Sequence, residues 1–108
     1  MMSVMTQDKF ESLNELTSME DILNLMVSEK LTLTAKQARA FLAKAVAETE
    51  NLMKNPYGSW ALLSSAHWFN VINYNLDHSD PEFNAVWDEV ADTRFKMYSK
   101  IEKYIQKN

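Results

Sequence analysis

Apolar residues near the start of the chain recur at steps of three and four: Phe10, Leu13, Leu16, Met19, Ile22, Leu23 and Met26. Successive steps of three drift around a helix of period 3.6, so one straight helix does not gather them on a single face. A break at Thr17-Ser18 resets the phase. Thr17 followed by Glu20 has the capping-box spacing, in which each side chain satisfies an orphan amide at the other's end. This predicts two short helices over about 7–16 and 18–29. After a connector, Thr34 and Gln37 repeat the box, and Ala38, Phe41, Leu42, Ala45, Val46, Leu52 and Met53 define the apolar face of a helix over about 35–54. Asn55-Pro56-Tyr57-Gly58 then turns the chain. Further helices are predicted over about 59–77 and 81–106, separated by His78-Ser79-Asp80-Pro81, whose proline suits a first helical turn. The expectation is a compact all-α bundle of four to five helices forming one domain over 1–108, with residues 1–5 frayed.

The helix over 59–77 departs from a single-stripe pattern. At about 100° per residue, Trp60, Leu63, Val71 and Tyr74 fall on one side, and Leu62, Phe69, Ile72 and Leu76 on nearly the opposite side. Trp68 lies between them. Two stripes mean either a central helix enclosed by its neighbours or a helix that packs inward on one face and meets a partner on the other. A monomeric chain with Trp68 buried would rule out the second arrangement. The last helix is simpler: Phe83, Trp87, Val90, Arg94, Met97, Ile101 and Tyr104 alternate steps of four and three, the seam of a helix packed on helices. Arg94 in that seam needs a carboxylate or carbonyl partner, unless it reaches out to a partner protein or acidic ligand.

Composition narrows the function. Among 108 residues there is one glycine and no cysteine. Phosphate-cradling loops, dinucleotide-binding turns and nucleophile elbows need several glycines, because only glycine admits such close backbone approach. Thiol catalysis, disulfides and thiolate zinc sites are excluded. The net charge of -4 works against nucleic acid, whose affinity comes from neutralising phosphates. No apolar run approaches the ~20 residues of a membrane span, and the first residues lack the layout of a secretion signal. These features point to a cytoplasmic protein without a membrane anchor.

Candidate chemistry is sparse. His67 and His78 are the two histidines and do not form a metal-ligand spacing; neither Ser64 nor Ser65 has a turn to expose it. No metal or other cofactor is expected. Glu89-Val90-Ala91-Asp92 resembles the Glu-x-x-Asp signature of the all-helical MazG-like nucleotide pyrophosphohydrolases, which implies magnesium held by carboxylates of two adjacent helices. The companion Glu-x-x-Glu is missing, since Glu48 and Glu50 stand at the wrong spacing. A helix–connector–helix over 20–46, with Lys36, Gln37 and Arg39 opening its second helix, offers a helix-turn-helix alternative, but without the tight glycine turn. The acidic residues Asp77, Asp80, Glu82, Asp88, Glu89 and Asp92 precede a row of lysines at 96, 100, 103 and 107. The helix macrodipole favours that order, and the acidic cluster also offers docking for a basic partner.

The leading expectation is a non-enzymatic inhibitor or adaptor that binds another protein, with a homodimer as a further arrangement. The contact candidates are Trp60, Trp68, Tyr74, Asp80, Glu82, Asp88, Glu89, Asp92 and Arg94. In composition alone the chain resembles small phage-encoded inhibitors of host or defence proteins, which implies a host cytoplasm as the place of action.

Overall fold

Side-chain caps set the helix starts. In the computed structural model, which describes residues 3–15, 18–54 and 59–107, the Thr6 hydroxyl accepts from the Lys9 amide and opens α1 (Gln7–Asn14). Ser18 accepts from the Asp21 amide at the start of α2 (Met19–Ser28). The expected cap at Thr17 lies outside the described residues, and its expected partner Glu20 accepts instead from Trp68 Nε1–H at 2.9 Å. Thr34 opens α3 (Ala35–Met53) with the full capping box: its hydroxyl accepts from the Gln37 amide, and Gln37 Oε1 accepts from the Thr34 amide. The bundle is completed by α4 (Ser59–Tyr74) and α5 (Phe83–Lys107). The fold is thus the expected all-α bundle, with helix boundaries within about three residues of those read from the caps. The Asn55-Pro56-Tyr57-Gly58 turn lies outside the described residues.

The largest boundary shift has a cause. The helix expected to reach residue 77 ends at Tyr74 because the following residues pair with Leu33: the Leu33 amide donates to Asn75 O at 2.7 Å, and the Asp77 amide donates to Leu33 O at 2.8 Å. The Val71 carbonyl at that terminus accepts from both the Asn75 amide and Asn75 Nδ2. The expected fraying of residues 1–5 also needs correction over residues 3–5. There β1 (Ser3–Val4) pairs in parallel with β2 (Leu31–Thr32), in the register Ser3 to Leu31 and Val4 to Thr32. The Met5 amide donates to Thr32 O, Gln37 Nε2 donates to Met5 O at 3.0 Å, and the Met5 side chain is buried. Lys30 turns the chain from α2 into β2 with a left-handed φ of 56°.

The core forms around α4, which packs against α2, α3 and α5. Phe69 and Ile72 of its buried stripe, with Leu76 just past its end, share one core with Met19, Ile22 and Met26 of α2, Phe41 and Leu42 of α3, and Val86, Val90 and Met97 of α5. Leu62 is fully buried on the same stripe. Each such side chain contributes roughly 1.5–3 kcal/mol by leaving water. The predicted faces of α2 and α3 and the seam of α5 lie on this interior, and Val86, which the seam pattern omits, is fully buried with them. Among the described residues no helix is long and apolar enough to cross a membrane.

Candidate interaction surface

Among the described residues, the second stripe of α4 is not covered. Trp60 is 84% exposed, Tyr74 75% and Leu63 57%, although all three lie on a helix whose opposite face builds the core. His67 is exposed between them and Val71 half-buried beside them. No Asp, Glu, Lys or Arg occurs from Ser59 to Tyr74, so this outward face carries no formal charge at neutral pH with His67 neutral. Clefts run along both flanks of the helix. On one side Leu63 and Ala66 meet Tyr98, Ile101 and Ile105 of α5 around a cleft of about 490 Å³. On the other, His67 and Val71 face Leu23 and Val27 of α2 across a cleft of about 320 Å³.

Trp68 does not belong to this surface. It is 8% exposed, packed in the core, with its indole N–H held by Glu20. Its burial argues against a contact face that includes it, and the uncovered stripe is defined by Trp60, Leu63 and Tyr74 instead. α4 is therefore not enclosed on all sides: among the described residues it is packed on one face and uncovered on the other.

Arg94 bridges α4 and α5. Its guanidinium donates to the side-chain carbonyl of Asn70 and lies 5.9 Å from the Tyr98 ring centroid, in cation–π range. Asn70 Nδ2 in turn donates to the Tyr98 hydroxyl at 3.1 Å. The seam arginine thus has a carbonyl partner, one of the two kinds expected, and an aromatic ring rather than a carboxylate.

The acidic stretch is largely engaged within the chain. Arg39 of α3 binds Glu89 through two nitrogens, at 2.8 and 3.2 Å, and Glu82 at 3.0 Å. Asp80 accepts from the Ala35 amide at 3.0 Å and the Glu82 amide at 2.8 Å, so one carboxylate caps α3 and also holds the approach to α5. These amides hold the Asp80 carboxyl below its usual pKa, and the Arg39 hydrogen bonds do the same for Glu89. Asp77 accepts from the amide and hydroxyl of Ser79, and Asp92 pairs with Lys96 one turn on. Asp88 is exposed and has no ion-pair partner among the described residues.

The same contacts bear on the two alternative chemistries. Of the three side chains placed for a DNA-reading helix, Gln37 is buried on Met5 O and Arg39 is held by two carboxylates, which leaves Lys36 exposed. Of the Glu-x-x-Asp pair placed for magnesium, Glu89 is held by Arg39 and Asp92 pairs with Lys96, while Glu48 Oε1 accepts from the Met19 amide. Among the described residues no three His, Asp or Glu side chains stand together as a metal site. His78 is exposed and stacks on Phe83 with ring centroids 4.5 Å apart.

The hydrophobic periodicity does not mark the α5 side of the cleft. Tyr98 and Ile105 fall off the seam, and only their position opposite Leu63 and Ala66 gives them a role. Comparison with protein-family models, curated proteins and solved structures finds no match.

Proposed function

We propose that the protein is a non-enzymatic interaction protein, of adaptor or inhibitor type, that binds another protein through the outward face of α4 and the cleft between α4 and α5. The observation that carries this reading is the exposure of Trp60, Leu63 and Tyr74 on an uncharged helix whose other face is the core. Tryptophan and tyrosine dominate binding hot spots, because each offers a large rigid contact area with a polar tip. The aromatic face is favoured over the acidic stretch, since Asp80, Glu82 and Glu89 already have partners inside the chain.

Affinity capture from native cell extract, followed by mass spectrometry, tests the reading. Trp60→Ala and Tyr74→Ala each weaken capture of the same protein by about 2 kcal/mol or more, roughly thirtyfold. Asp88→Asn leaves it unchanged. Capture indifferent to both aromatic variants overturns the reading, as does magnesium-dependent nucleotide hydrolysis or a salt-sensitive shift of DNA by the purified chain.

A further inference from the structure

The exposed face of α4 matches itself. Trp60 and Tyr74 stand seven residues to either side of His67, and Leu63 and Val71 stand four to either side. A two-fold axis through His67 lays two antiparallel copies of α4 together with aromatic opposite aromatic and aliphatic opposite aliphatic. Trp60 of each copy then meets Tyr74 of the other, and Leu63 meets Val71. An isologous contact requires this reciprocity, in which residue i meets j and j meets i.

Charge selects the same face. A chain of net charge -4 repels its own copy over most of its surface, whereas α4 brings no Asp, Glu, Lys or Arg to the contact. Size sets the strength. At about 150–250 Å² per buried aromatic, Trp60 and Tyr74 at their observed exposures offer about 350 Å² per copy. Leu63, His67 and Tyr98 extend the patch toward the about 800 Å² per partner of a standard interface, and the pair sits at the small end, where contacts are reversible.

We infer that a second copy of this chain covers the face: the protein pairs through α4 as an antiparallel two-fold dimer, and a target protein gains the face by displacing that copy. The inference rests on the reading of α4 as a contact surface and adds the regulation of that surface by self-association.

The absence of cysteine makes the register directly testable. His67→Cys places two thiols at the axis, within the ~4.4–6.8 Å Cα separation of a disulfide, and mild oxidation gives a covalent dimer of twice 12.5 kDa. Trp60→Cys places its two thiols about 21 Å apart along the antiparallel helices and gives no such dimer by itself, but links to Tyr74→Cys when the two are mixed. Leu63→Glu, at a site 57% exposed, keeps the helical circular dichroism of the wild type and weakens the dimer at least about tenfold in sedimentation equilibrium. The oxidised His67→Cys dimer does not capture the target protein, and reduction restores capture.

A wild type that sediments at 12.5 kDa up to several hundred micromolar overturns the inference. So does a dimer indifferent to Leu63→Glu, or cross-linking equally efficient at His67 and Trp60. If the wild type is monomeric while Trp60→Ala still abolishes capture, self-pairing falls and the contact face stands. If neither mass nor capture responds to any α4 variant, the face itself falls.

Discussion

Phe69 and Trp60 are large aromatics on one helix, and their substitution has opposite consequences. Phe69 is fully buried, so Phe69→Ala removes a ring from a close-packed core and leaves a cavity; the expected loss is about 3–5 kcal/mol in urea denaturation. Trp60 is in water in the single chain, and Trp60→Ala, measured at concentrations where the chain is monomeric, is expected to change stability by no more than about 0.5 kcal/mol. A comparable loss for the two would mean that the exposed stripe has a structural role. The spacing of these residues was legible as two stripes, since helical periodicity assigns residues to faces. It does not say which face turns inward when both are apolar. That depends on where Met19, Phe41 and Val90 arrive from other helices, and Trp68, at the border, takes the inward side because its N–H finds Glu20.

Between elements, Arg39 and Asp80 join the start of α3 to the start of α5. The folded-state pKa values of Asp80 and Glu89 lie below those of free carboxylates, so protonation favours the unfolded chain. Their contribution is therefore complete at neutral pH and is lost as pH falls from about 4 through the lower folded-state values. Thermal midpoints measured from pH 7 down to pH 2 are expected to hold and then drop over that acid range. Glu89→Gln, which cannot titrate, is expected to lower the neutral-pH midpoint slightly and to flatten the acid fall. An equal acid slope in both proteins would remove Arg39–Glu89 from the account. The helices themselves were legible because Thr34, Gln37 and Ser79-Asp80-Pro81 are local signals. The use of the acidic residues was not, because their partner Arg39 lies more than forty positions away and reads equally well as a solvent-facing or DNA-facing cation.

At the scale of the molecule, a helical bundle is fastened by a non-helical clasp. Parallel pairing of β1 with β2 and the Leu33–Leu76 bridge tie together three distant stretches of chain. Strands of two residues show no alternation, so periodicity cannot reveal them, and Met5 reads as a terminal methionine until Gln37 is seen to bind its carbonyl. Few hydrogen bonds and little apolar area hold β1, so native-state hydrogen exchange at the Ser3 and Met5 amides is expected to proceed by local opening, well ahead of Phe41 and Phe69 in the helices. Gln37→Leu is expected to quicken exchange at Met5 further; protection at Met5 equal to that of the helical core would show the clasp opening only with the whole fold. The clasp also imposes an order in time. During synthesis Ser3 to Met5 are made long before Leu31 to Gln37, and Leu33 before Leu76, while loop closure delays pairing until both ends exist. The Ser3–Met5 stretch is thus carried unpaired while α1 and α2 are made, whereas the Leu33–Leu76 bridge waits until α4 has been synthesised.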